Sequence, residues 1–181
     1  MDTEGTLAPA TAAEARAEYD ELVPAAKVAV REATKAMEFD RAEYDERVTG
    51  DVIETVRDAL FASLLRVHVG TRAEFEAWLD DHPDYESDVA GSDNVDNVVW
   101  HPVAFAVDDP AVDGGDATHL AVAATWQAER EAALGTLRRR AFGRVYRGVV
   151  SDSDGEGDDD AAGDAAAASG GPDASDAPDE P

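Results

Sequence analysis

No cysteine occurs among the 181 residues, which excludes disulfides and any zinc or iron–sulfur centre built on thiolates. Lysine is almost as scarce: only Lys27 and Lys35 are present, and every other basic residue is arginine. Long apolar runs are missing as well. The richest stretch, Ala59-Leu60-Phe61-Ala62-Ser63-Leu64-Leu65, falls far short of the roughly 20 residues that span a bilayer. The opening Met1-Asp2-Thr3-Glu4 has no basic residue and no apolar stretch behind it. No secretory signal and no membrane partner are therefore expected, and a cytoplasmic location is.

The common catalytic signatures are also missing. The sequence has no His-Glu-x-x-His stretch, no Gly-Lys-Ser/Thr phosphate loop, no Gly-x-Ser-x-Gly elbow and no Glu-x-x-His pair. Zinc hydrolase, phosphate-loop nucleotide hydrolase, serine hydrolase and di-iron bundle chemistry thus lose their usual sequence support. Asp152-Ser153-Asp154-Gly155-Glu156-Gly157-Asp158 has the look of a calcium loop, but its twelfth position is Gly163 rather than glutamate. No cofactor and no metal site is expected.

What the sequence holds in excess is acid. Forty-one acidic residues face fifteen basic ones, a formal net charge of −26. Residues 151–181 hold eleven acids and no base, which leaves the first 150 residues at −15. The acidity belongs to the folded surface as well as to the tail. Self-repulsion of this size destabilises a compact chain in dilute solution. At about 1 M salt the Debye length is only ~3 Å, and most of the penalty disappears. Abundant aspartate and alanine with little lysine fit a protein selected for brine.

The apolar pattern places the elements. Thr11–Glu14, Asp40–Glu43 and Thr71–Glu74 have capping-box spacing and open helices. Pro24 suits the first turn of a second helix. Ile53, Val56, Leu60, Leu64 and Val67 recur at helical spacing, with Gly70 placed to end that helix and His68 in its last turn. Tyr85–Val89, Val98–Phe105 and Thr118–Trp126 read as strands, with a loop at 108–116. A helix from Ala128 to Val149 carries Leu134, Leu137, Ala141 and Val145 as its buried stripe. The expected fold class is α+β: a helical N-terminal half, a three-stranded antiparallel meander and a long C-terminal helix packed on the sheet. Residues 1–150 are expected to form a single α+β domain and 151–181 a disordered acidic tail.

Candidate sites are few. His101 and His119 fall on two strands of one hairpin, with Asp116 close by in sequence. Two imidazoles and a carboxylate on one face would bind a divalent metal or act as an acid–base pair. Separation by register, with each histidine incidental, is the commoner outcome. Trp100 and Trp126 serve either as a stacking platform or as core, and core suits a chain short of large side chains. Six of the fifteen basic residues lie on the last helix, and Arg140, Arg144 and Arg147 follow i, i+4, i+7 spacing. That flank suits a protein partner or intramolecular carboxylates better than nucleic acid, since phosphate contacts weaken steeply with salt.

Three stretches, Arg47–Asp51, Val67–Trp78 and Ala141–Arg147, resemble a small haloarchaeal protein family with no assigned activity, over roughly residues 3–150. The resemblance implies a haloarchaeal source and carries over no functional residue. The sequence thus points to a non-enzymatic protein-interaction module, with a protein partner or homo-oligomerisation expected. A small metal-binding protein or enzyme using His101 and His119 is the alternative.

Overall fold

A computed structural model describes residues 1–106 and 119–151. Asp116, the loop at 108–116 and the tail with its calcium-like stretch lie outside the described residues.

The fold is mixed α+β. Helices α1 (Ala12–Asp20), α2 (Val23–Ala36), α3 (Arg41–Arg47) and α4 (Gly50–Leu64) precede most of the sheet, and α5 (Arg72–Asp81) follows its second strand. The strands are β1 (Asp2–Glu4), β2 (Val67–Thr71), β3 (Tyr85–Ala90), β4 (Asn97–Pro102) and β5 (His119–Trp126). Capping chemistry sets several helix starts. Asp40 and Glu43 form a reciprocal box at α3, Thr71 and Glu74 form another at α5, and Thr11 accepts from the Glu14 amide at α1. Pro24 sits in the first turn of α2, where its missing N–H leaves nothing unpaired.

The meander is overturned. The sheet has five strands in the order β1-β2-β4-β5-β3. β5 lies between β3 and β4, parallel to the first and antiparallel to the second. Composition explains the placement. β5 carries Leu120 to Ala124 without a polar residue, and all five are buried, as a strand covered on both faces requires. β3 reads Tyr-Glu-Ser-Asp-Val-Ala and takes an edge, where charge blunts further pairing. At the start of the β3–β4 connection, Gly91 has φ +118, and a Cβ there would run into the Thr125 hydroxyl.

The strongest helical stripe also ends earlier than its spacing suggests. Leu65 leaves the helix with ψ 130, and Val67, His68, Val69 and Gly70 belong to β2. Val67 fits both patterns, but Val67 and Val69 then alternate with His68 at the strand period of two.

Two cores result. On one face Val99, Val103, Leu120 and Val122 meet Ala15 and Tyr19 of α1, Phe61 of α4, and Leu134 and Leu137 of the last helix. On the other face Val98, Trp100, Ala121 and Ala123 lie under Phe75 of α5. The last helix begins as α6 (Arg130–Ala141), passes through a π-helical turn at Phe142–Tyr146 and ends as α7 (Arg147–Ser151). The Arg147 N–H reaches the Phe142 carbonyl, five residues back, rather than that of Gly143.

Candidate functional site

Strand register separates the two histidines expected to cooperate. His101 pairs with Val122, and His119 lies three residues earlier on β5, paired with Tyr85. Side chains alternate along a strand, so an odd separation puts the rings on opposite faces of the sheet. The shared acid–base or metal site on His101 and His119 has no geometric basis here. Among the described residues, no group of three or more histidines and carboxylates is placed to hold a metal ion.

His101 is instead a satisfied core residue, 1% exposed. Its Nδ1 lies 2.6 Å from the Arg66 carbonyl oxygen and its Nε2 lies 2.8 Å from the Tyr146 hydroxyl. A carbonyl only accepts, so Nδ1 carries the proton and Nε2 accepts from Tyr146. Burial holds the imidazole neutral, down at about 4, against a smaller opposing effect of the Arg66 carbonyl. Tyr146 sits in the π-helical turn, and burial raises its phenol well above the usual range.

The other three histidines gather under and around α5. His68 stacks on Trp100 at 5.3 Å, His82 stacks on Trp78 at 4.3 Å, and His119 lies 5.1 Å from the Tyr85 ring. His82 donates through Nδ1 to the Trp78 carbonyl at 2.7 Å, and His119 Nδ1 lies 3.4 Å from an Asp84 carboxylate oxygen. Desolvation first, then nearby Arg66 and His82, lowers the His68 imidazole. Trp100 is fully buried within this cluster. Trp126 projects from the other face, so the two tryptophans form no common stacking platform.

The arginine flank divides. Arg140 reaches Asp88 Oδ1 at 2.6 Å and Arg144 approaches Asp88 Oδ2 at 3.1 Å. Arg147 points the other way, 3.8 Å from Asp58 on α4. Spacing of i, i+4, i+7 assumes an unbroken α-helix. The π-helical turn inserts one residue's worth of rotation before Arg147 and aims it at a different carboxylate. The carboxylate that binds Arg140 and Arg144 belongs to edge strand β3, and only that of Arg147 belongs to the N-terminal helices.

The packing of α2 creates a further feature. α2 packs along α4, yet its buried residues Ala26, Val30 and Thr34 belong to neither core cluster. Between these helices runs an apolar groove of about 460 Å³, lined by Ala29, Ala33, Met37, Phe39, Val52 and Val56 among others. Met37 is 61% and Val52 37% exposed, so the groove opens to solvent. Its sequence signal was the width of the α2 apolar stripe, Ala26, Ala29, Val30, Ala33 and Met37, which is more than α4 alone can cover.

Residues 6–147 match the model of a family of unknown function, DUF5809. The chain belongs to that family. The match covers all the elements just described except β1 and part of α7, so the buried His101–Tyr146 pair, the α5 cluster and the α2–α4 groove all fall within the DUF5809 region. No curated protein and no solved structure matches the chain significantly.

Proposed function

We propose that this DUF5809 protein is a non-enzymatic interaction module of a salt-rich haloarchaeal cytosol, and that its docking surface is the α2–α4 groove. On this reading residues 1–150 are one folding unit and 151–181 an acidic tail. The open apolar groove carries the proposal. Solvent-facing methionine and valine at the mouth of such a groove cost free energy that burial against another helix recovers, about 25 cal/mol per Å² of apolar surface covered.

The occupant we assign is a second copy of the chain. Two molecules each at −26 repel across most of their surfaces. The arm around the groove is close to neutral: residues 23–48 hold five basic and six acidic residues, including both lysines. On α2, Lys27, Arg31 and Lys35 are exposed, and on α4 Asp51 and Glu54 are exposed. A two-fold axis that lays α2 of one copy against α4 of the other sets these charges opposite each other and closes the two helix pairs into a four-helix bundle. Ala29 and Ala33 are small enough to let the backbones approach.

Light scattering on the full chain in 2 M KCl tests this. A dimer is expected at micromolar concentration, and Met37→Glu with Val52→Glu should return it to monomer with unchanged circular dichroism. A wild-type protein that stays monomeric, or a dimer indifferent to both substitutions, would overturn the reading.

A further inference from the structure

A second depression lies where α4 meets the last helix, and it shares no lining residue with the groove. It is a cavity of about 250 Å³ between α4 and the last helix, lined by Asp58, Ala59, Ala62, Arg139, Phe142 and Arg147 among others. We infer that this cavity is a binding site for a small carboxylate with an apolar body, held by Arg139 and Arg147.

The arginines of the last helix differ in what they already hold. Arg138 donates through Nε to the Leu65 carbonyl at 3.0 Å, and Arg140 and Arg144 are engaged by Asp88. Arg139 makes one long hydrogen bond, 3.4 Å to the Thr136 hydroxyl of its own helix. Arg147 stands 3.8 Å from Asp58, beyond hydrogen-bonding distance, with its guanidinium 5.8 Å from the Phe142 ring centroid. A guanidinium offers five N–H donors, so most of the donors of these two side chains remain available at the cavity wall.

The carboxylate already present does not fill the site. Asp58 Oδ1 accepts the Tyr19 hydroxyl at 2.5 Å, which fixes that group from the side of α1. Two cations face one anion, so the cavity carries a net positive charge inside a chain of −26. A planar guanidinium matches a carboxylate bidentately. Phe142, Ala59 and Ala62 supply an apolar floor, which favours an anion with a hydrocarbon body over a bare inorganic one. At about 250 Å³ the cavity lies just below the usual range of drug-sized ligand pockets, about 300–1,000 Å³, so it suits only a small ligand such as a single ring bearing one carboxylate.

Calorimetric titration of the full chain with benzoate, and separately with inorganic phosphate, in 1 M KCl is the test. Saturable benzoate binding is expected, weakened about tenfold or more by Arg139→Gln and by Arg147→Gln. Arg144→Gln should leave it unchanged, since that side chain already faces Asp88. Absence of benzoate binding would overturn the assignment. So would binding that survives both substitutions, or phosphate binding as tight as benzoate, which would reduce the site to a charge contact. Neither substitution touches the α2–α4 groove, so self-association should persist in both variants.

Discussion

The Tyr146 hydroxyl donates to His101 Nε2 across 2.8 Å, from a π-helical turn to the middle of the sheet. An unbroken α-helix from Arg130 would present a different side of residue 146, so the irregular turn and the buried imidazole belong together. With the Arg66 carbonyl on Nδ1, both ring nitrogens are occupied and the ring is locked in one tautomer.

That lock makes stability depend on pH. The native imidazole titrates at about 4, whereas an unfolded histidine titrates near 6.5. Between those values the unfolded chain binds more protons, so stability falls as pH falls. The full difference corresponds to about 3 kcal/mol, present above pH ~6.5 and lost by pH ~4. Arg66, Arg138 and His68 lie close enough to disfavour the charged ring further. Glu18, raised by burial and its acidic neighbours, acts in the opposite sense. Urea midpoints from pH 7.5 to 4.5 at fixed KCl should fall steadily, and His101→Gln should flatten the slope. An unchanged slope in that variant would rule the assignment out.

How much of this was legible beforehand depended on whether the signal was local. Thr71 and Glu74 mark the start of α5 because both capping bonds lie within four residues. Leu134, Leu137 and Ala141 mark the inner stripe of the last helix for the same reason, and all three are buried. Strand order is non-local. Tyr85–Ala90 and Asn97–Pro102 are neighbours in sequence, but the apolar β5 takes the place between them. His68 lies on β2 rather than in a last helical turn, and the spacing hides this because Val67 satisfies helical and strand periods at once. The opposite orientations of His101 and His119 followed from their pairing register, which no spacing within either strand reveals.

The arginine flank offers a stability prediction. Asp88 is 19% exposed and faces both Arg140 and Arg144. Asp88→Asn removes the charge of the carboxylate that Arg140 and Arg144 share. It should cost about 1–3 kcal/mol, more than a typical surface pair, because part of the cost is desolvation left uncompensated. Combining it with Arg140→Gln should recover part of the loss, since the two side chains share one interaction. Purely additive losses in urea titrations would mean that the pair contributes nothing as a unit.

Salt should act on the whole molecule and in the stabilising direction. Exposed pairs such as Arg41–Asp45, at 3.9 Å with side chains 96% and 67% exposed, contribute little and lose little when screened. The buried cores are indifferent to ionic strength, or gain slightly. What salt removes is repulsion among carboxylates that outnumber bases two to one even in residues 1–150. The thermal midpoint should therefore rise from 50 mM to 2 M KCl, by on the order of 10 °C if screening restores a few kcal/mol. Most of the rise should come below about 0.5 M, where the Debye length has already fallen to ~4 Å. A rise that continues linearly to 2 M would point to salt acting on apolar burial instead. A midpoint that does not move would show that the acidic surface costs the fold nothing.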